Sequence, residues 1–284
     1  MGRRRAARFR LRQGIALLPD IRLWRAAIHW AIVIAMQAAH TLLTPVVASA
    51  DTVRAAVATN FAEPIAALAE MFKAETGHDV LVSTGATGAL YAQIVAGAPL
   101  DILLAADDKR PKLLETGGQG VAGTRFTYAR GRLALWSADP ARVGGNGEEA
   151  LKQDTFRALA IADPAVAPYG VAARETLKSL GLWDKLEARV VYGKNIGQTH
   201  ALVATGNAEL GFVALSHVRS VKGKIGGSHW IVPEQLHAPI LQDAILVTTA
   251  ADNAAARAFL AFLRGSAARA MIERFGYDND GAMP

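Results

Sequence analysis

Four loops of the sequence place small or neutral polar side chains at the start of a helix. They are Thr59-Asn60, Thr84 to Gly88, Pro168-Tyr169-Gly170 and Asn195-Ile196-Gly197. The first N–H groups of a helix have no partner within the helix, and the helix dipole adds partial positive charge there. Such a loop can hold an anion without a charged side chain. Taken alone, Thr59-Asn60 favours an ordinary connection in which Asn60, three residues before Glu63, caps a helix; recurrence of the same design in other loops favours the anion site.

The residue types in these loops limit the chemistry they support. Lys194 is the only Lys, Arg or His beside them. General acid–base catalysis needs a titratable pair, and a metal site needs clustered His, Asp or Glu. The hydroxyl groups of Thr59, Thr87 and Tyr169 are neutral hydrogen-bond donors, which suit an oxyanion that carries no proton. These residues therefore favour a binding protein over an enzyme, with no catalytic residue and no cofactor.

Strands and helices alternate along the chain after Asp51. Apolar runs predict strands over 53–58, 80–83, 101–105, 133–136, 159–162, 190–192, 210–214 and 244–248. Helical periodicity follows most of them, including 64–76, 254–263 and 267–275. This alternation predicts an α/β fold with mostly parallel sheets and flanking helices. Ligands of such sheets lie at the carboxyl ends of the strands, so two units that face each other would bring the four loops into one cleft.

The formal net charge of +6 is concentrated at the amino terminus. Residues 1–50 hold eight of the 31 basic residues and one of the 25 acidic residues, so the rest of the chain is nearly neutral. That balance argues against a nucleic-acid partner. An Arg-rich start, an apolar run and the small residues Ala48-Ser49-Ala50 predict an export signal over 1–50, cleaved near Ala50/Asp51. The chain has no cysteine, which suits an oxidising compartment.

Other residues with possible chemistry have simpler interpretations. Asp107-Asp108 follows a strand and is either a metal-binding pair or a solvated loop, and the second interpretation is favoured. The histidines lack the spacing of zinc ligands, which favours surface or structural roles. The tryptophans lack the basic flanks of a nucleic-acid stacking platform, so they are expected to pack. The residues concerned are His78, His200, His217, His229, His237, Trp136, Trp183 and Trp230.

The segment 51–277 resembles the molybdate-binding proteins of bacterial ABC-type uptake systems. The residues that carry the resemblance are Ala58-Thr59-Asn60-Phe61, Gly85-Ala86-Thr87-Gly88-Ala89-Leu90-Tyr91-Ala92-Gln93-Ile94, Ala96-Gly97-Ala98-Pro99-Leu100-Asp101, Asp163-Pro164 with Pro168-Tyr169-Gly170, and Gly276-Tyr277. The combination is specific, whereas each piece alone is weak.

The resemblance implies a type II periplasmic-binding-protein fold with two lobes that close on tetrahedral molybdate or tungstate. It implies one lobe made of 51–131 and 240–284, a second made of 132–239, and a cleft between them. The ligand contacts carried over by position are Thr59, Asn60, Thr87, Tyr169 and the backbone N–H of Ile196. The metal is bound as an oxyanion through these residues, with no direct protein–metal ligand.

The sequence departs from the family pattern at two positions. Thr87 stands where the family often has Ser, which keeps the hydroxyl group. Ala214 stands where some members have a Tyr, so no side-chain contact is predicted there and Tyr169 is expected to supply it instead.

The resemblance further implies a monomeric periplasmic protein that delivers its ligand to a membrane permease. The main alternative is the same fold binding sulfate or another small anion, because cavity radius decides between these ligands. A ligand-sensing regulator would need a DNA-binding segment, and a dipyrromethane-type deaminase would need a cysteine, which the sequence lacks.

Overall fold

The computed structural model describes residues 51–153, 155–219 and 226–278. The predicted export signal at 1–50 lies outside these residues. Within them the chain forms two mixed β-sheets flanked by helices, and the predicted α/β class is confirmed.

The elements are numbered in chain order. The strands are β1 Thr52–Ala58, β2 Asp79–Gly85, β3 Ile102–Leu104, β4 Phe126–Gly131, β5 Leu133–Ser137, β6 Leu159–Ala162, β7 Val190–Gly193, β8 Leu210–Ala214, β9 Ser228–Ile231 and β10 Ile240–Leu246. The α-helices are α1 Ala62–Thr76, α2 Thr87–Val95, α3 Lys109–Thr116, α4 Gly147–Lys152, α5 Pro168–Ser179, α6 Trp183–Leu186, α7 Ile196–Ala204, α8 Leu215–Val218, α9 Ala254–Arg264 and α10 Ser266–Arg274. Short 3-10 turns occupy Thr59–Phe61, Glu187–Arg189, Glu234–Leu236 and Thr248–Ala250.

The first sheet has the strand order β2-β1-β3-β10-β4. Strands β1, β2 and β3 are parallel, and β10 runs antiparallel between β3 and β4. The second sheet has the order β7-β6-β8-β5-β9, again with three parallel strands and an antiparallel pair of contacts at β5. The chain passes to the second sheet between β4 and β5 and returns between β9 and β10.

Each sheet is covered by helices on both faces. In β1, Val57 belongs to a core shared with α1, α9 and α10, whereas the adjacent Ala56 packs with α2 and α3. In β6, Ile161 packs with α5 and the adjacent Ala160 packs with α7. Because both faces are buried, these strands are continuous apolar runs, which is why they could be predicted from the sequence.

Strand register brings the loops at the carboxyl ends together. Ala58, the last residue of β1, lies opposite Gly85, the last residue of β2. Ala162, the last residue of β6, lies opposite Gly193, the last residue of β7. The loops that open the turn at Thr59 and helix α2 therefore lie side by side in one lobe, as do those that open α5 and α7 in the other.

The strands at the antiparallel side of each sheet were the hardest to predict. No strand was predicted at β4 or β9, and β10 begins at Ile240, whereas the prediction began at residue 244. Gln242 and Asp243 interrupt the apolar pattern of β10, yet both are fully buried. Asp243 is satisfied by Arg125 at 2.5 Å and by the Thr127 hydroxyl at 2.6 Å. Arg125 and Thr127, which are distant in sequence, thus supply the hydrogen bonds that allow Asp243 to be buried inside this strand.

No helix among the described residues is long and apolar enough to cross a membrane.

The buried carboxylate of Asp101 gives a test of what joins the strands of the first lobe. It accepts hydrogen bonds from the backbone N–H of Arg54 at 2.7 Å and from the Arg54 guanidinium at 2.9 Å. We expect D101A to lower the free energy of unfolding by about 2–4 kcal/mol, because the Arg54 N–H and guanidinium lose a buried, charged acceptor. Urea denaturation measures the change.

The exposed pair between Lys73 and Asp79 is the matched control for D101A. Its side chains are 55% and 47% exposed. Solvent screens such a pair, so D79A should change the unfolding free energy far less than D101A. Equal losses in the two variants would contradict the role assigned to Asp101.

Candidate functional site

The five residues predicted to contact a ligand line one small cavity between the two lobes. Thr59, Asn60 and Thr87 reach it from the first lobe, and Tyr169 and Ile196 reach it from the second. Its remaining walls are equally uncharged: Ala58, Gly85, Ala86, Ala106, Ala167 and Pro168. Ala214 is not among these residues, as expected from its missing side-chain donor. The structure thus brings the predicted residues together, while their role as ligand contacts stays a prediction.

Helix starts surround this cavity, and most of them have no side-chain cap. The residues that precede the turn at Thr59, helix α2 and helix α5 are alanines, which cannot cap. Helix α7 differs, because the Asn195 side chain accepts from the Gln198 N–H at 2.8 Å. Uncapped helix starts leave N–H groups and partial positive charge for a bound anion.

The three hydroxyl groups of the cavity share one hydrogen-bond pattern. Each oxygen accepts a hydrogen bond from a protein N–H group, and none of the three donates to another described residue. Their donors are Gly197 N to Thr59 Oγ1 at 3.3 Å, Ala106 N to Thr87 Oγ1 at 3.0 Å and Gln242 Nε2 to Tyr169 Oη at 3.1 Å. A hydroxyl whose oxygen is occupied in this way keeps its proton for another acceptor. The arrangement suits a ligand that only accepts.

Asn60 does not cap the helix, so that interpretation of the sequence was wrong. Neither the turn at Thr59–Phe61 nor helix α1 has a side-chain cap. Asn60 is 1% exposed, and its Nδ2 donates to Gln242 Oε1 at 2.8 Å and to Tyr277 Oη at 3.0 Å. Its Oδ1 has no hydrogen-bond partner among the described residues. Both side-chain donors are used within the protein, so the backbone N–H is what Asn60 offers a ligand.

Gln242 is the residue of the site that sequence analysis missed. Its side chain is fully buried in β10, and it contacts Asn60 in one lobe and Tyr169 in the other. The register of β4 and β10 shifts beside it, because Gln242 faces Ala129 and the next residue faces Thr127. Tyr128 is the extra residue of this irregularity, and its Oη lies 3.0 Å from Gln242 Oε1. The polar pair Gln242-Asp243 in an otherwise apolar run was the one available signal.

Gly131 makes room for the contact between Gln242 and Tyr169. A Cβ atom at this position would lie 2.5 Å from Gln242 Nε2 and closer still to Tyr169 Oη. Real Cβ atoms do not approach so closely. The glycine is therefore required by packing and not by its backbone angles.

Residues of both lobes hydrogen-bond to the backbone of the Thr59–Phe61 turn. Ser216 Oγ donates to the Asn60 carbonyl at 2.8 Å, and Tyr277 Oη donates to the same oxygen at 2.7 Å. His217 Nε2 lies 3.3 Å from the Thr59 carbonyl, which can only accept, so the imidazole proton sits on Nε2. These contacts fix the backbone that faces the cavity.

Direct contacts also join the lobes across the cavity. Gly88 N donates to the Val166 carbonyl at 2.9 Å, and Arg110 Nη2 donates to the Ala165 carbonyl at 3.3 Å. Arg110 is paired with Asp107 in a larger cleft that shares Ala106 and Pro168 with the cavity. Within the described ranges, no three His, Cys, Asp or Glu residues cluster as a metal site. The Asp107 carboxylate is thus seen in an ion pair with Arg110 and not in a cluster of metal-ligand residues.

The titratable groups at the site are held neutral. Burial raises the pKa of the Tyr169 hydroxyl well above its usual value, and the nearby Tyr277 raises it further. Burial and the neighbouring His200 lower the pKa of His217 to about 4. His200 itself stacks on Trp136 with ring centroids 4.7 Å apart, which is a packing role for both. The cavity thus offers neutral donors across the physiological range.

The sequence profile described as "Bacterial extracellular solute-binding protein" matches residues 53–278. The chain belongs to this family. Extracytoplasmic solute-binding proteins bind and hand over a ligand, so this assignment agrees with a binding protein and not an enzyme.

The solute-binding protein is similar to characterised members named for molybdate. It is 49% identical to Molybdate-binding protein ModA of Azotobacter vinelandii over 81% of this chain and 91% of that protein. It is also 49% identical to Molybdate-binding protein ModA of Rhodobacter capsulatus, over 81% and 89%. The solved periplasmic molybdate-binding protein of Azotobacter vinelandii superposes with a TM-score of 0.77 at 42% identity, over 80% of this chain and 98% of that one. The resemblance and the two-lobed fold predicted from the sequence are confirmed.

Replacement of Gly131 tests the close packing behind the cavity. We expect G131A to lower the free energy of unfolding by about 1–3 kcal/mol, because the added methyl group displaces the Tyr169 hydroxyl or the Gln242 amide. The control is G144A, since a Cβ at Gly144 meets nothing within 4 Å. An equal effect of the two substitutions in urea denaturation would contradict this packing.

The lowered pKa of His217 predicts a pH dependence of stability. Unfolded His217 takes up a proton near pH 6.5, whereas the folded side chain does so at about 4. Between these values the unfolded state binds more protons, so stability falls as the pH is lowered, by about 3 kcal/mol in total. We expect H217Q to lose this part of the dependence in urea denaturation. The exposed His229 provides the control, and H229Q should keep the wild-type profile; an unchanged profile in H217Q would refute the prediction.

Proposed function

We propose that this solute-binding protein captures molybdate or tungstate and delivers it to the membrane permease of an ABC transporter. The observation that carries the proposal is the cavity lined by uncharged groups, in which every hydroxyl oxygen is occupied by a protein N–H. Similarity to the molybdate-binding proteins of Azotobacter vinelandii and Rhodobacter capsulatus supports the choice of anion.

Several hydroxyl groups, backbone N–H groups and helix starts together stabilise the two negative charges of a bound dianion. Each hydrogen bond to a charged group contributes about 1.5–3 kcal/mol, and each helix start adds about 0.3–1 kcal/mol. Thr59, Thr87 and Tyr169 supply the hydroxyl donors, and Asn60 and Ile196 supply backbone N–H groups. Molybdate and tungstate carry no proton at neutral pH, so the ligand needs no acceptor from the protein. Hydrogen phosphate would need one for its own proton.

Contacts across the cleft support capture by closure of the lobes. The hydrogen bonds from Gly88 to Val166 and from Gly197 to Thr59 can form only while the lobes are together. Closure excludes water from the anion and strengthens its hydrogen bonds, since the local dielectric constant falls. Opening of the lobes at the permease would then release the ligand. No cofactor takes part in this cycle.

The family of extracellular solute-binding proteins supports an extracytoplasmic location. We place the mature protein in the periplasm as a monomer, beginning at Asp51 after cleavage of the Arg-rich export signal.

Calorimetric titration with molybdate, tungstate and sulfate tests the proposed function. Molybdate and tungstate should bind with similar affinity, because they share charge and tetrahedral shape, and sulfate should bind at least about 100-fold more weakly because the smaller anion leaves donors unsatisfied. Sulfate binding of comparable affinity would overturn the choice of anion. Absence of binding by all three would overturn the assignment as an oxyanion-binding protein.

A further inference from the structure

Three side chains behind the cavity form a hydrogen-bonded chain with a single direction. Asn60 Nδ2 donates to Gln242 Oε1 at 2.8 Å, and Gln242 Nε2 donates to Tyr169 Oη at 3.1 Å. The Tyr169 hydroxyl donates to no described residue and lines the cavity. Each hydrogen bond is therefore donated in the same direction, from Asn60 to Gln242 and from Gln242 to Tyr169. The Tyr169 hydroxyl proton, in the second lobe, is left to point at the ligand.

We propose that Gln242 is a positioning residue that sets the hydrogen-bond polarity of the anion site. By donating to the Tyr169 oxygen, it obliges that hydroxyl to donate to the ligand and prevents it from accepting. This inference rests on the proposed function, and it adds a specificity determinant that does not touch the ligand itself.

The surroundings of Gln242 fix which end of its amide faces Tyr169. The Tyr277 hydroxyl donates its proton to the Asn60 backbone carbonyl, so its oxygen accepts from the Asn60 amide, and Nδ2 is the end that faces Tyr277 and Gln242. Because Nδ2 can only donate, the oxygen of Gln242 faces it. The amide is fully buried, so water cannot satisfy a reversed orientation. Gly131 leaves the space in which Nε2 and Tyr169 Oη approach.

A donor-only Tyr169 selects ligands by their protonation state. A molybdate oxygen accepts the hydrogen bond from the hydroxyl. A proton-bearing anion such as hydrogen phosphate would direct its own O–H group at an oxygen whose accepting position Gln242 occupies. Burial raises the pKa of Tyr169, so the hydroxyl keeps the proton that this selection needs.

Neutron crystallography of the wild-type protein soaked with molybdate in D₂O observes the polarity directly. We expect deuterium on Gln242 Nε2 directed at Tyr169 Oη, and the Tyr169 deuterium directed at a molybdate oxygen. Deuterium on Tyr169 directed at Gln242 would overturn the inference. This measurement needs no variant and does not depend on the folding of one.

Affinity measurements test whether the polarity matters for binding. Y169F should weaken molybdate binding on the order of 10- to 100-fold in the wild-type background. In the Q242E variant the introduced carboxylate, once ionised, accepts the hydrogen bond from the Tyr169 hydroxyl. The infrared carboxylate band shows at which pH the introduced side chain is ionised. Y169F should then cost less than about 3-fold, because the hydroxyl no longer serves the ligand.

The control background is Q242M, which has similar length and neither charge nor strong acceptor. Tyr169 keeps the ligand as its best acceptor there, so Y169F should retain most of its wild-type penalty. Repulsion between the introduced carboxylate and molybdate weakens Q242E with or without the hydroxyl, so it cancels in this comparison. An equal Y169F penalty in the wild-type and Q242E backgrounds would overturn the inference.

The two proposals fail in different ways. Lack of binding of molybdate, tungstate and sulfate by the wild-type protein overturns the proposed function and this inference with it. Molybdate binding with an unchanged Y169F penalty in ionised Q242E overturns the role of Gln242 alone.

Discussion

The buried amide of Gln242 is the contact on which the geometry of the cavity depends. It joins Asn60 in one lobe to Tyr169 in the other, and its own position follows from the irregular pairing of β4 with β10. An amide without partners in this place would cost the desolvation of several polar atoms. Its satisfied state therefore requires both lobes to take the positions that also complete the cavity.

The cavity solves the problem of holding a doubly charged ligand without a fixed counter-charge. A lysine or arginine would bind any anion of suitable size, and its charge would have to be buried when the cavity is empty. Neutral hydroxyls and N–H groups cost less to bury, because they can hydrogen-bond within the protein. In this structure each hydroxyl oxygen does so, and the proton remains for the ligand. Geometry and protonation state then replace charge as the basis of selection.

Local patterns explain which parts of the site could be predicted from the sequence. Thr59, Thr87 and Tyr169 each lie at the start of a helix or helical turn that follows a strand, and that strand-to-helix pattern is visible within about ten residues. Parallel strands put such loops at one edge of a sheet. Gln242 had no comparable signal, because its partners lie 73 and 182 residues away along the chain. The interpretation of Asn60 as a helix cap failed for the same reason, since the acceptors of its side chain are remote in sequence.

Local sequence patterns were enough to predict the α/β alternation, the uncharged chemistry of the four loops and the family to which the chain belongs. Those properties depend on apolar runs, helical periodicity and short motifs, which are local. Contacts made in the folded protein set the start of β10, the burial of Gln242 and the direction of hydrogen bonds through Tyr169. A hydroxyl group both donates and accepts, so its role is set by neighbours that folding brings within about 3 Å, and no local pattern records them.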